Sequence, residues 1–234
     1  MSLGSAVHEV IESLAFIPAE ERFSKPLLEN FDKAWQKVSG KKGGFVSDTQ
    51  ETEAKERARE MILRVEKNST PLEEKTVRIK GGNNGMPPNY FLSEEENIIL
   101  CGKIDWLIHK PVDDSVHILD FKTGKNEEKE ESLQLPIYQL LLKNLQKRKV
   151  SGASYWYIDR DDMPAEAPLP DVNESFEKVF SVATEVKKAR EMKEFLCPKG
   201  ENGCFACKPF ERIIKGQAEC VGVSETRKDL YISI

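Results

Sequence analysis

Short apolar runs occur in four parts of the chain, and each run is bounded by polar residues or by glycine and proline. These runs lie near residues 72–80, 98–108, 115–122 and 150–159, and their length and alternation predict strands. Around them, apolar residues recur every three to four positions, as they do along one side of a helix. The pattern therefore predicts an α/β fold with a mixed central sheet and helices on both faces.

Helical spacing is clearest in three stretches. Residues 20–67 are predicted as a largely helical insertion, 133–145 as a single helix and 175–196 as a long amphipathic helix. Residues 164–171 contain three prolines and are predicted as an extended connector. The glycine-rich segment 81–88 is predicted as a loop or hairpin tip. No internal repeat is visible, and we predict a single domain over 1–234.

Two aspartates and a lysine stand at the ends of neighbouring apolar runs. Asp105 lies at the end of one run, and Asp120 and Lys122 lie at the end of the next, beyond a turn at 111–114. A hairpin would bring the two carboxylates together, and side chains two apart on a strand share one face. Such a cluster is costly to bury without a counter-ion, and a divalent cation with a phosphate would balance it. The alternative is a set of solvated strand-end charges.

Two further segments carry candidate polar groups. Gln134 and Tyr138 are four residues apart at the start of a predicted helix and therefore share a helix face. His8 lies among apolar residues of the first predicted helix, where Gly4 permits close backbone approach. A lone histidine in such a position is more often a core residue than a ligand, so neither segment identifies a site by itself.

Taken in order, these segments resemble the motifs of RecB-like nucleases of the AddB/RecB type, which belong to the PD-(D/E)XK superfamily. The resemblance rests on four motifs: G-x-x-x-H (Gly4 to His8), G-x-I-D (Gly102 to Asp105), D-F-K-T-G (Asp120 to Gly124) and Q-x-x-x-Y (Gln134 to Tyr138). It implies a restriction-endonuclease-like fold and a nucleic-acid substrate. In such a fold the helices of residues 20–67 would either border the DNA groove or only cover the core.

The resemblance also implies a role for each motif residue. It makes Lys122 the catalytic lysine, supported by Gln134 and Tyr138. It implies a Mg²⁺ or Mn²⁺ ion held by His8, Asp105, Asp120 and the backbone carbonyl of Phe121. On this basis we expect a divalent-metal-dependent exonuclease that cleaves DNA in repair or recombination, with DNA as partner and a helicase domain or subunit beside it. Two alternatives remain: a catalytically silent module that binds DNA ends or scaffolds a helicase complex, and a nuclease of a CRISPR-adaptation or mobile-element system.

Four cysteines near the C-terminus form a second candidate site, in the region of residues 197–220. They are Cys197, Cys204, Cys207 and Cys220. Such crowding favours metal ligation over disulfides in a reducing compartment, and some RecB-like nucleases hold an iron–sulfur cluster with three C-terminal cysteines and one before the G-x-x-x-H motif. Here only Met1, Ser2 and Leu3 precede that motif. An iron–sulfur cluster, a zinc site and free thiols all remain open.

Composition changes this interpretation little. Charged residues make up 32% of the chain, and its formal net charge is −5. This balance disfavours a protein that coats DNA without regard to sequence, which would be basic, but it allows a nuclease with acidic metal ligands. The sequence contains no run of about twenty apolar residues and no N-terminal signal pattern, which predicts a cytoplasmic protein without a membrane span.

Overall fold

The fold is built around a hairpin formed by the apolar runs near 98–108 and 115–122, with further strands and helices packed against it. A computed structural model describes residues 2–79, 89–197, 199–200, 203–224 and 227–233, so the predicted loop at 81–88 lies outside the described residues. The α-helices of the described residues are α1 (Ser2–Ser13), α2 (Phe31–Gln36), α3 (Asp48–Lys67), α4 (Thr70–Glu73), α5 (Gln134–Leu145), α6 (Val172–Met192) and α7 (Lys208–Ile214). The strands are β1 (Tyr90–Ser93), β2 (Ile98–Leu100), β3 (Trp106–Lys110), β4 (Ser115–Lys122), β5 (Val150–Tyr157), β6 (Ala165–Ala167), β7 (Ala218–Val223) and β8 (Asp229–Ser233).

The central sheet is mixed, with strand order β3-β4-β5-β6. Strand β4 pairs antiparallel with β3 and parallel with β5, and α5 connects the two parallel strands. This connection is the βαβ unit that parallel pairing requires. Strands β1 and β2 form a separate hairpin, as do β7 and β8. The predicted α/β architecture with a mixed central sheet flanked by helices is therefore confirmed.

Alternating side chains on β4 divide the core into two layers. Leu119 and Phe121 pack with α1, α2 and α3 on one face of the sheet. Ile118 packs on the other face, against Leu135 and Leu142 of α5. Asp120 and Lys122 share the α5 face with Ile118, because side chains two apart on a strand point the same way. They lie where β4 leaves the core, near the start of α5.

Two of the four predicted strand segments need correction. Residues 70–73 form the short helix α4, and 74–79 pair with β3 through a single bridge between Thr76 and Ile108 rather than as a strand. A distant contact competes with a β-ladder here, because buried Arg22 donates to the carbonyls of Leu72 at 2.5 Å and Glu74 at 2.8 Å.

The segment near 98–108 is two strands, β2 and β3, which belong to different sheets. The segment near 150–159 contains β5, and part of the predicted proline-rich connector is its edge partner β6. The helical prediction for 20–67 holds mainly for α3, because the part before it consists of α2 and short 3₁₀ turns. Within the described residues, no helix is long and apolar enough to cross a membrane.

Candidate functional site

The candidate site lies where β3 begins beside the end of β4. Trp106 is the first residue of β3 and pairs with Leu119. Extending this antiparallel register by one residue sets Asp105 opposite Asp120, so the predicted hairpin with neighbouring carboxylates is confirmed. Asp105 is further oriented by the sheet backbone, because the N–H of Phe121 donates to Asp105 Oδ2 at 3.0 Å. The role predicted for the Phe121 carbonyl stays a prediction.

Asp120 is held from one side by the helix that follows the strand. Its Oδ1 accepts from Gln134 Nε2 at 2.7 Å and from the Tyr138 hydroxyl at 3.2 Å. The spacing of four residues along α5 places both donors on the face that packs on the sheet. Burial and the nearby carboxylate of Asp105 raise the pKa of Asp120 to about 6, although Lys122 opposes the increase. Burial beside the same two carboxylates also raises the pKa of Tyr138.

Lys122 is surrounded by oxygens of its own chain. Its Nζ lies 2.9 Å from Asp120 Oδ2 and 2.8 Å from Glu128 Oε2, and it donates to Gln134 Oε1. The ammonium also lies 4.9 Å from the centre of the Tyr155 ring. Burial lowers the pKa of Lys122, but the two carboxylates outweigh that effect and the net shift is upward. The lysine is therefore charged at neutral pH.

Helix α1 brings His8 to the same end of the hairpin. Gly4 makes this approach possible, because a Cβ atom at that position would lie 2.7 Å from Thr123 Oγ1, just beyond β4. One helical turn later, His8 Nδ1 lies 3.5 Å from Asp105 Oδ2 and 3.1 Å from Glu12 Oε1. The G-x-x-x-H spacing thus combines a close helix-to-sheet contact with a ring placed over the start of β3.

His8, Glu12 and Asp105 form a compact group of potential metal ligands. One nitrogen and two carboxylate oxygens lie within 4.8 Å of one another. Burial lowers the pKa of His8, but the carboxylates of Asp105 and Glu12 outweigh it and raise that pKa to about 10. The second Glu12 oxygen forms an ion pair with Lys103. Asp120 is outside this group of three, although its charge interacts with those of Asp105 and His8.

The donor set fits a divalent cation. Asp120 Oδ2 is buried and has no hydrogen-bond donor among the described residues, since its contact with Lys122 is an ion pair without hydrogen-bond geometry. Lys122 is therefore the cation beside this oxygen, and a second positive partner would stabilise the buried carboxylate further. Carboxylates of this kind suit Mg²⁺, and an added imidazole nitrogen suits Mn²⁺. The arrangement can therefore bind a hard cation next to a fixed ammonium.

A partly buried ion pair between Arg57 and Asp159 lies next to the chain segment that follows Lys122. Arg57 on α3 binds Asp159 with Nε to Oδ1 at 2.7 Å and Nη2 to Oδ2 at 2.8 Å. The same guanidinium donates to the carbonyl of Thr123 at 3.2 Å. Arg57 lowers the pKa of Asp159, because it donates to the ionised form. Helix α3 thus anchors the segment that leaves the site.

The structure brings together every side chain that the motifs identify: His8, Asp105, Asp120, Lys122, Gln134 and Tyr138. Sequence reasoning missed two acidic residues of the site. Glu12 carries a visible signal, since it lies four residues after His8 and so shares its helix face. Glu128 carries none, because it is one of several glutamates in a charged loop.

The C-terminal cysteines are only partly grouped. The sulfurs of Cys197, Cys204 and Cys207 lie within 4.8 Å of one another, and those of Cys204 and Cys207 are 3.8 Å apart. Backbone N–H groups of Cys207 and Ala206 lower the pKa of the Cys204 thiol, which favours the thiolate that binds metals. Cys220 is outside this group in the described part of the chain, and its sulfur contacts the carbonyl of Gly222.

The sequence model of the PD-(D/E)XK nuclease superfamily matches residues 1–212, which include α1 through most of α7 and all of the site around Asp120. No curated protein matches the chain.

Proposed function

The chain belongs to the PD-(D/E)XK nuclease superfamily, and from this premise we propose that it is a divalent-metal-dependent deoxyribonuclease that acts as an exonuclease. The observation that carries the proposal is the buried Asp120 carboxylate. It lies between the ammonium of Lys122 and the group formed by His8, Glu12 and Asp105. A cation and a phosphate are the ligands that this combination of charges suits.

Each side chain has a distinct part in the proposed reaction. His8, Glu12, Asp105, Asp120 and the carbonyl of Phe121 would hold the metal. When bound there, Mg²⁺ or Mn²⁺ would supply Lewis-acid chemistry toward a phosphoryl oxygen and toward the attacking water. Lys122 neutralises the negative charge that develops on the phosphate, which its upward-shifted pKa supports because the ammonium stays protonated.

Gln134 and Tyr138 are positioning residues in this scheme. Both donate to Asp120 Oδ1, so the carboxylate is fixed in one rotamer and Oδ2 remains available to the metal. Gln134 also accepts from Lys122 with its carbonyl oxygen, so one amide orients both the Asp120 carboxylate and the Lys122 ammonium. Loss of either donor would loosen the site without removing a ligand.

The order of the RecB-like motifs also supports a proposal about the cellular process in which the chain acts. It favours action in DNA repair or recombination, with the chain serving as the nuclease module beside a helicase domain or subunit.

The three grouped cysteines supply three ligands to an iron–sulfur cluster or a zinc ion. Iron and sulfide analysis and zinc analysis of protein purified without oxygen distinguish these two, and a protein containing neither contradicts this part of the proposal.

A cleavage assay on matched substrates tests the function. Labelled single-stranded DNA, duplex DNA and duplex DNA with blocked ends are incubated with the protein in Mg²⁺, in Mn²⁺ and in EDTA. We expect metal-dependent shortening of the DNA with free ends and protection of the end-blocked DNA. Cleavage of circular DNA would instead identify an endonuclease. Absence of cleavage of every substrate in both metals would contradict the nuclease proposal.

A further inference from the structure

Glu128 is an acidic residue of the site that is not among the proposed metal ligands. Glu128 lies between β4 and α5, in a segment without regular structure, and reaches back to Lys122. Its backbone N–H donates to the Tyr157 hydroxyl at 2.8 Å, and its side chain is hydrogen-bonded to Ser132. The loop is therefore anchored with its carboxylate against the proposed catalytic lysine.

The ammonium of Lys122 is enclosed by groups of its own chain in this arrangement. A lysine ammonium carries three N–H groups. Three oxygens of the chain contact it, from Asp120, Glu128 and Gln134, and the Tyr155 ring covers a further side. For Lys122 to contact a phosphate oxygen, one of these three oxygens has to leave.

The three oxygens differ in how firmly they are held. The Asp120 side chain is only 2% exposed and is fixed through Oδ1 by two donors. The Gln134 carbonyl is fixed because the NH₂ group of the same amide donates to Asp120 and to the Tyr138 hydroxyl at 2.9 Å. Glu128 is 28% exposed and stands on a loop. It is the partner that can leave while the rest of the site stays intact.

The charges of the groups also identify Glu128 as the partner of Lys122 that leaves. Glu128 and a DNA phosphodiester each carry one negative charge, so an exchange between them keeps Lys122 paired throughout. If the phosphate entered while Glu128 stayed, two anions would compete for one ammonium beside the acidic group at His8. We propose that Glu128 is an internal competitor of the substrate: its carboxylate occupies the position against the Lys122 ammonium that a DNA phosphate takes on binding. This inference rests on the proposed nuclease function.

Binding measurements on charge-matched variants test the inference. The dissociation constant of a short fluorescent DNA is measured in Ca²⁺, which takes the same oxygen ligands, with a check that the DNA stays intact. Glu128→Gln should lower the dissociation constant about three- to fivefold, because the partly exposed ion pair of Glu128 with Lys122 no longer competes with the DNA. Glu127→Gln is the control, since Glu127 immediately precedes Glu128 and pairs with Arg160 at the surface. It removes the same charge and should change the constant by no more than about twofold.

Variants made in the Lys122→Met protein test the contact between Glu128 and Lys122 separately. In the variant Lys122→Met the competition no longer exists, so adding Glu128→Gln should tighten binding no more than adding Glu127→Gln does. Thermal unfolding identifies variants that fail to fold, and Glu128→Ala then replaces Glu128→Gln.

The outcomes separate the two claims. If the wild type binds and cleaves DNA but Glu128→Gln binds no more tightly than Glu127→Gln, the role of Glu128 as competitor is wrong and the nuclease function stands. Weaker binding or a lower kcat without tighter binding would make Glu128 a positioning residue and also overturn the inference. A wild type that neither binds nor cleaves DNA overturns the nuclease proposal and this inference with it.

Discussion

Replacing Asp120 by asparagine is expected to stabilise the metal-free protein although it abolishes cleavage. The Asp120 side chain is almost fully buried, and burial together with Asp105 raises its pKa to about 6. At neutral pH the folded protein therefore holds a charge that its surroundings disfavour. Asparagine has nearly the same shape without the charge, and its carbonyl oxygen can still accept from Gln134 and Tyr138.

The size of the effect follows from the two pKa values. The difference between 3.8 in a model peptide and about 6 in the folded protein corresponds to about 3 kcal/mol. The new amide NH₂ group would face the ammonium of Lys122, donor against donor, at a cost of about 1 kcal/mol. We expect a net stabilisation of about 2 kcal/mol, which is a rise in Tm of about 4–8 °C for a chain of this size.

The effect has a defined pH dependence. A raised pKa means that the folded protein binds the proton more tightly than the unfolded chain does. The contribution of protonated Asp120 to stability is therefore fully present below pH 3.8 and is lost as the pH rises through about 6. The advantage of Asp120→Asn over the wild type should be largest at neutral pH, and it should disappear as the pH falls toward 3.8.

Unfolding by urea in EDTA, at neutral and acidic pH, measures this difference. Asp162→Asn is the control, because Asp162 is an exposed aspartate paired with Arg64 at the surface and should change stability little. Adding Mn²⁺ at about 100 times its Kd should stabilise the wild type by about 2.7 kcal/mol and should stabilise Asp120→Asn much less. An Asp120→Asn protein that is less stable than the wild type at neutral pH in EDTA would refute the reasoning.

Three further variants test other contacts of the site. Lys122→Met should lose most of the turnover and keep Mn²⁺ binding in calorimetry, because the lysine acts on the phosphate and not on the ion; loss of metal binding would make it structural. His8→Ala and Glu12→Gln should each weaken Mn²⁺ binding by about 10- to 100-fold, and an unchanged Kd for either would remove that residue from the ligand set. Arg57→Met should cost about 1 kcal/mol of unfolding free energy at neutral pH and much less in acid. The reason is that Arg57 lowers the pKa of Asp159, so the contribution of the pair is present above pH 3.8 and is lost as the pH falls through that lowered pKa; equal losses at both pH values would contradict this.

The parts of the fold and site that the sequence predicts are those set by local periodicity. Alternation along β4 places Asp120 and Lys122 on one face, and a spacing of four places Gln134 and Tyr138 on one side of α5. The short turn before β4 fixes the hairpin register and thereby the position of Asp105. Each of these relations spans fewer than about twenty residues, so the pattern of the chain contains it.

The parts that the sequence does not predict depend on distant contacts. The run at 72–80 alternates like a strand, but the carbonyls of Leu72 and Glu74 accept from Arg22, about fifty residues earlier in the chain. The pKa of His8 near 10 requires Asp105 beside the ring, and that proximity exists only once α1 packs on the sheet. Glu128 is one of several glutamates in its loop, and nothing in the sequence selects it for contact with Lys122.

Hydrolysis of single-stranded DNA by the wild type and by Asp120→Asn, in Mg²⁺ and in EDTA, tests the central claim most directly. The account predicts that the wild type releases nucleotides in Mg²⁺ and not in EDTA. It predicts that Asp120→Asn is inactive in both, although it unfolds at a higher temperature than the wild type in EDTA. Wild-type activity that persists in EDTA, or an Asp120→Asn protein that cleaves at the wild-type rate in Mg²⁺, would contradict it.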